Sequence, residues 1–293
     1  MSRIERFRFG AYEAVAVPMG TFRLDGGAIF GVVPKTLWSR EQPADEKNRI
    51  RLALRCLLLV GHGRTILVDG GIGDKHATSP SPSKFGEIYA VEDAPSAADA
   101  LKLRAGLDPD SVTDVIATHL HFDHAGGLTR RAAGGVDLSF PNANVFVQAS
   151  HLAWAQSPPP KERASFLPEN VGPIADSPRL RLLSGPETVA PGVTVAVMAG
   201  HTTGFQVIEV RGDGAEKLVF LSDLVPTASH LKLPYVMGYD NQPIVTQEEK
   251  RLLFARAAAN GDTLFFEHDP NVIACRLRAE ADRYAPVDVL SEA

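Results

Sequence analysis

Apolar residues in this chain gather in short runs that stop at glycine, proline or aspartate, a rhythm of strands and turns. The first such run is Ala14-Val15-Ala16-Val17, within a predicted strand over residues 12 to 24. Leu52 to Val60 predicts a core strand, Gly61-His62-Gly63-Arg64 a hairpin turn, and Thr65 to Asp69 its partner. Ser96 after Pro95 caps a predicted amphipathic helix that stops at Gly106. Val115-Ile116-Ala117 reads as a buried strand, Asn144 to Val147 as another, and Ser150 to Ala155 as the start of a helix. Further on, Val193 to Met198 predicts a strand, and 206–210 with 217–221 a hairpin around Gly212-Asp213-Gly214. Thr246-Gln247-Glu248-Glu249 reads as a capping box opening a helix to Asn260-Gly261, and 263–267 as the last strand.

Three stretches break the rhythm. Residues 34 to 49 are polar around one tryptophan, and predict either a loop over a pocket, walled by Phe30, Leu37 and Trp38, or a surface excursion. Residues 156 to 179 hold six prolines, a density that predicts no regular element and suggests a substrate lid or a dimer contact. Residues 226 to 243 form a loop rich in proline and aromatics, in which His230 and Tyr235 are candidates for substrate contact.

Candidate chemistry concentrates directly after the Val115 strand, in Thr118-His119-Leu120-His121-Phe122-Asp123-His124-Ala125-Gly126-Gly127. Residues two apart in an extended segment point the same way, so His119 and His121 can clamp one cation. Asp123 and His124 lie past the turn and can face a second. Imidazole and carboxylate together suit zinc, iron, manganese or cobalt. Other apolar strands end on the same residue types: His201 after Val193–Met198, Asp223 after 217–221, and His268 after 263–267. A carboxylate at the end of so apolar a strand as that before Asp223 needs a partner, and a metal pair supplies one. His62, His76 and His151 read as residues of a turn, a loop and a polar helix face.

Composition narrows the class. The 293 residues are 44% hydrophobic and 22% charged with net charge −5, as in an ordinary globular protein. The mild acidity and the absence of a basic stripe argue against a nucleic-acid partner. No apolar run reaches membrane-spanning length, so no membrane partner is expected. Met1 to Arg8 has no apolar signal core, and Cys56 and Cys275 read as buried free thiols, so a cytoplasmic location is the expectation.

The motif His119-x-His121-x-Asp123-His124, with His201, Asp223 and His268 in that order, resembles the metallo-β-lactamase-fold hydrolase superfamily. The resemblance implies one domain over 1–293 with an α/β fold, a four-layer αβ/βα sandwich of two mixed sheets face to face with helices outside. It implies two divalent ions, zinc foremost, with iron, manganese or cobalt as alternatives. The first would be held by His119, His121 and His201, the second by Asp123, His124 and His268, with Asp223 bridging. A hydroxide shared by the two would attack an ester-like bond, with Asp123 or Asp223 passing the proton to the leaving group. Ala199-Gly200-His201-Thr202-Thr203-Gly204 resembles the family's Gly-His-Thr-x-Gly element, and Asp69-Gly70-Gly71 its strand ending in Asp-Thr-Gly. Asp69 then either holds a ligand histidine by its free ring N–H or forms a turn.

Within the superfamily, the loop from Asp223 to Pro243 is similar to that of quorum-quenching lactonases related to methyl parathion hydrolase. That resemblance implies opening of N-acyl homoserine lactones by a homodimer, with Phe30, Trp38, His230 and Tyr235 against the substrate. Pro226 stands where the small lactonases carry a tyrosine, three residues after the bridging aspartate. Organophosphate or aryl-ester hydrolysis and a glyoxalase II-like thioesterase are the alternatives; the last lacks a basic C-terminal cluster.

Overall fold

A computed structural model describes residues 4–76, 84–281 and 283–292. The chain opens with β1 (Glu5–Phe9), which sequence rhythm did not reveal, followed by β2 (Tyr12–Asp25), β3 (Arg49–Gly61), β4 (Arg64–Val68) and β5 (Asp114–Ile116). A small hairpin of β6 (Thr129–Ala132) and β7 (Gly135–Leu138) precedes β8 (Asn144–Gln148) and β9 (Leu180–Leu183). The second half contributes β10 (Glu187–Ala190), β11 (Val193–Met198), β12 (Phe205–Arg211), β13 (Lys217–Phe220), β14 (Thr263–Phe265), β15 (Val272–Glu280) and β16 (Arg283–Ser291). The strand at 263–267 is therefore not the last. A long hairpin follows, whose second strand alternates half-buried with exposed positions and so lacks a strong apolar run.

Two seven-stranded sheets result, one ordered β1-β2-β3-β4-β5-β8-β9 and the other β10 through β16 in sequence order. Both are mixed. The first turns parallel from β4 onward, and the second is antiparallel except where β13 meets β14. This is the metallo-β-lactamase fold, and its layers follow from side-chain alternation. On β3, Leu57 and Leu59 face the space between the sheets, while Leu52, Leu54, Cys56 and Leu58 face the outer helices. On β12, Ile208 and Val210 point to the inter-sheet core, while Phe205 and Val207 pack with Leu253, Phe254 and Ala257 of the long helix. Three apolar cores thus separate four layers.

Several local expectations change. Residues 168–175 form a helix despite the prolines. Pro168 sits at its first position, where an N–H has no partner in any case, so only Pro173 removes an internal donor. The long helix begins at Pro243 and not at the Thr246 capping box. Glu249 instead accepts hydrogen bonds from the N–H groups of Ala199 and Gly200, at 2.7 and 3.2 Å, and so fixes the loop before His201. The Ser96-capped helix forms as expected, but winds wider over Leu101–Ala105 before Gly106 ends it in the left-handed region. Residues 26–30 and 35–38 are two short helices.

Candidate metal centre

The carboxyl ends of β4, β5, β11, β13 and β14 converge at one edge of the sandwich, and the polar residues following them meet there. His119 and His121 lie on the extended segment after β5, and Asp123 and His124 on the short helix Phe122–Ala125. Gly126 and Gly127 follow that helix directly. Both keep helical backbone and press against the 70–72 loop, where a Cβ on Gly127 would lie 2.1 Å from the Gly70 carbonyl oxygen.

Two clusters of ligand atoms result, His119/His121/His201/Asp223 and Asp123/His124/His268, every residue buried. In the first, His121 Nδ1 lies 3.0 Å from His119 Nε2 and 3.3 Å from His201 Nε2. In the second, His124 Nε2 lies 3.2 Å from His268 Nε2, with Asp123 Oδ2 at 3.8 and 3.9 Å from the two. Asp223 stands between them. Its Oδ2 is 3.1 Å from His201 Nε2, and its Oδ1 is 3.2 Å from His268 Nε2 and 3.6 Å from His124 Nε2.

The outward nitrogen of each ring is already engaged. His201 Nδ1–H donates to Asp240 at 2.8 Å, and His268 Nδ1–H to the Ala53 carbonyl at 2.9 Å. His121 Nε2–H donates to Glu162 at 3.3 Å. His119 Nδ1–H donates to the Thr118 hydroxyl at 3.0 Å, which itself donates to Asp69 at 2.7 Å. Asp69 and Glu267 share the Nδ1–H of His124, each at 3.1 Å. The inner nitrogens crowd to 3.0–3.3 Å from one another, too close for each to keep a proton, an arrangement that a cation among them would satisfy. The buried Asp223 Oδ1 also has no hydrogen-bond donor. Both observations fit a pair of divalent cations bridged by Asp223, and the imidazole and carboxylate donors suit zinc and its neighbours.

The sequence pattern of the metallo-beta-lactamase superfamily matches residues 52–291. The chain belongs to this superfamily. It is a metal-dependent hydrolase with a dinuclear His/Asp site. Among its superfamily relatives, an N-acyl homoserine lactonase of Bacillus cereus is 25% identical over 228 residues, 76% of this chain and 83% of that protein. The N-acyl homoserine lactonase AttM of Agrobacterium fabrum is 26% identical over 224 residues, 72% and 80% of the two chains. The fold of a "probable metal-dependent hydrolase" from Staphylococcus aureus matches with a TM-score of 0.85 at 27% identity, covering 97% of this chain and 100% of that one. The dizinc quorum-quenching lactonase AidC, solved with a ring-opened product, shares the fold at a TM-score of 0.76 and 18% identity, covering 98% and 97%.

A cavity opens onto His121, Asp123, His201, Asp223 and His268. Its far wall is apolar: Phe22, Leu24, Ile29, Leu52, Phe122 and Met237. Of the residues expected against substrate, Phe30, Trp38 and His230 are buried one layer behind this wall. Phe30 stacks between Trp38 and His230, with ring centres 5.3 and 4.8 Å away. His230 Nε2–H donates to the Ile29 carbonyl at 3.0 Å, and Ile29 is the residue that reaches the cavity. Residues 34–49 are mostly exposed around the buried Trp38, with Leu37 on the surface and none of them lining the cavity, which matches the surface excursion pinned by one tryptophan. Tyr235 meets Phe30 edge-on and lines a separate groove with Tyr284 and Pro286. Pro226 does line the cavity.

Several supporting residues, Asp240 among them, escaped sequence reading. His151 is buried, not a polar face residue. Its Nε2 accepts from Leu120 N–H at 2.7 Å and its Nδ1–H donates to Thr203 O at 2.7 Å, so it ties the His119–His121 segment to the His201 loop. Burial pushes it down to about 3, so it stays a neutral imidazole able to play both parts. Glu162 is buried, which alone would raise its carboxyl; hydrogen bonds from His121 and Trp154, with the polar side chains of Thr202 and Asn241 beside it, overcome this and hold it at about 2. Glu267 adjoins His268 in sequence, the one signal that could have raised it.

Proposed function

We propose that this enzyme opens the lactone ring of N-acyl homoserine lactones. The observation that carries the reading is the place of Asp223, one oxygen toward each histidine cluster, at the floor of an apolar cavity. Divalent ions held by these residues would supply a bound water with its pKa brought near neutral and a Lewis acid for the carbonyl. Asp223 then holds the two clusters in one geometry, and Asp123, which lines the same cavity, is placed to carry the proton to the leaving alkoxide. The apolar wall takes the acyl chain, and the lactonases among the relatives support that choice of substrate. Zinc as the resident metal, a homodimer and a cytoplasmic site of action belong to the same reading; the buried unpaired Cys56 and Cys275 support the last.

The test is proton release on adding a long-chain N-acyl homoserine lactone to metal-loaded enzyme, with Asp223→Ala beside it. Wild type should show saturable release. The variant should lose more than the roughly 10–100-fold seen when groups supporting a ligand are altered. A fully loaded wild type that releases no protons overturns the lactone reading and directs attention to aryl esters and phosphotriesters.

A further inference from the structure

The cavity wall can be read for what it leaves free. Lys161 is its cation outside the ligand clusters, among the described residues, and its ammonium already donates to Tyr239 O, Asp240 O and Asn241 Oδ1 at 2.7, 2.8 and 3.2 Å. Three donors meet three acceptors, so no proton of Lys161 is left for a substrate anion. Glu162 is engaged by His121 and Trp154. What remains are hydroxyls. Tyr89 and Tyr239 line the cavity, and their phenols hydrogen-bond to nothing among the described residues.

Both phenols sit on segments tied to the metal centre. Tyr89 ends the helix Lys84–Tyr89, and its ring packs on Phe122, 4.7 Å between centres, immediately before Asp123. Tyr239 is held through its carbonyl by Lys161, and the next residue, Asp240, holds the ring of His201. Burial and the nearby Asp123 carboxylate raise both phenols above their ordinary range, so each stays a hydroxyl that can donate.

We propose that Tyr89 and Tyr239 form a donor pair that binds an uncharged hydrogen-bonding group of the substrate beyond the scissile bond, an amide carbonyl above all. The inference rests on the lactonase reading and sharpens it. The wall outside the metal centre selects a neutral polar group followed by an apolar tail. Among the described residues it offers no free cation to the carboxylates of a peptide thioester, which counts against the glyoxalase II-like alternative.

The test uses two ester-free ligands that anchor a carboxylate at the metals, N-hexanoylglycine and nonanoate. They are matched in chain length, and only the first has an amide. Their affinities for zinc-loaded wild type, Tyr89→Phe, Tyr239→Phe and the double variant are measured by calorimetry, with zinc content and melting temperature as controls. Each Phe variant should lower the preference for the amide ligand by about three- to tenfold, the worth of one neutral hydrogen bond, and leave nonanoate within about twofold. An unchanged preference, equal weakening of both ligands, or no binding by wild type overturns the proposal. Lactone turnover is read on the same samples. If wild type opens no lactone but the preference shifts in the variants, the substrate assignment falls and the donor pair stands.

Discussion

Each ligand imidazole presents one nitrogen inward because the other is held from behind, and at His121 the holder is Glu162. A carboxylate there fixes the ring so that Nδ1, not Nε2, faces the cluster, and raises its basicity toward a cation. Glu162→Gln keeps the shape and removes the charge. It should weaken metal binding about 10-fold, and Glu162→Ala about 100-fold, in competition with a chromophoric chelator. Equal affinity in all three proteins would mean that His121 is held by packing alone. Two non-glycine residues beside the site, Asp69 and Ser222, have φ of 58° and 46°. Left-handed backbone is costly for them, and it aims the Asp69 carboxylate at His124 and Thr118 and sets Asp223 between the clusters. His119, His121, Asp123 and His124 were legible because they are neighbours in sequence. Glu162, Asp240 and His151 were not, since each acts on a partner tens of residues away and has no spacing of its own.

Elements set the ligands' distances by how closely backbones approach. The Gly126-Gly127 segment lies on the 70–72 loop with no room for a methyl group. Gly127→Ala must push apart the two segments that carry Asp69 and His124. A loss of about 1–3 kcal/mol is expected, read as a lower urea midpoint at unchanged slope. The long helix Pro243–Asn260 holds the cavity loop through Lys250, whose buried ammonium donates to Lys232 O and Tyr235 O, the latter at 2.6 Å. Burial pushes Lys250 down to about 7. In the unfolded chain a lysine titrates near about 10.4, so between these values the unfolded state holds a proton that the folded state has shed. Stability from this residue therefore rises with pH across that window and is flat below it. Urea unfolding of wild type and Lys250→Met at pH 6, 8 and 9.5 should show a difference that grows in favour of wild type as pH rises. A constant difference would place the lysine's pKa outside the window. The Trp38–Phe30–His230 stack works at the same scale. It carries Ile29 to the cavity, with each aromatic contact worth about 0.5–1.5 kcal/mol.

Across the whole molecule, both sheets contribute to one site. His119, His121, Asp123 and His124 follow β5 of the first sheet, while His201, Asp223 and His268 follow strands of the second. Metal binding therefore clamps the sandwich, and its affinity adds to stability. Without metal, the inner imidazole nitrogens crowd one another and the buried Asp223 Oδ1 has no hydrogen-bond donor. Stripping with a chelator should lower the melting temperature by on the order of 10 °C, and zinc should restore it. A melting temperature indifferent to chelator would mean that the clusters are stable without a cation.

Sequence by itself determined where the main strands run and which histidines and aspartates stand at their ends, and the resemblance those residues carry implied the class of fold and their role toward metal. The strands rest on local facts: apolar runs two-sided enough to be buried, with histidine or aspartate where each run stops. It also foretold Asp69 at the strand end before two glycines. Only the tertiary structure decided which nitrogen each imidazole offers, which carboxylates support them and what lines the cavity. Phe30, Trp38, His230 and Tyr235 look from sequence like substrate contacts because aromatic loop residues tend to face pockets. Packing turned three of them into a buried stack and the fourth toward another groove, leaving the cavity to Ile29, Tyr89 and Tyr239. Such choices depend on which way a loop folds back, and that is set by contacts between segments some two hundred residues apart, as between Ile29 and His230.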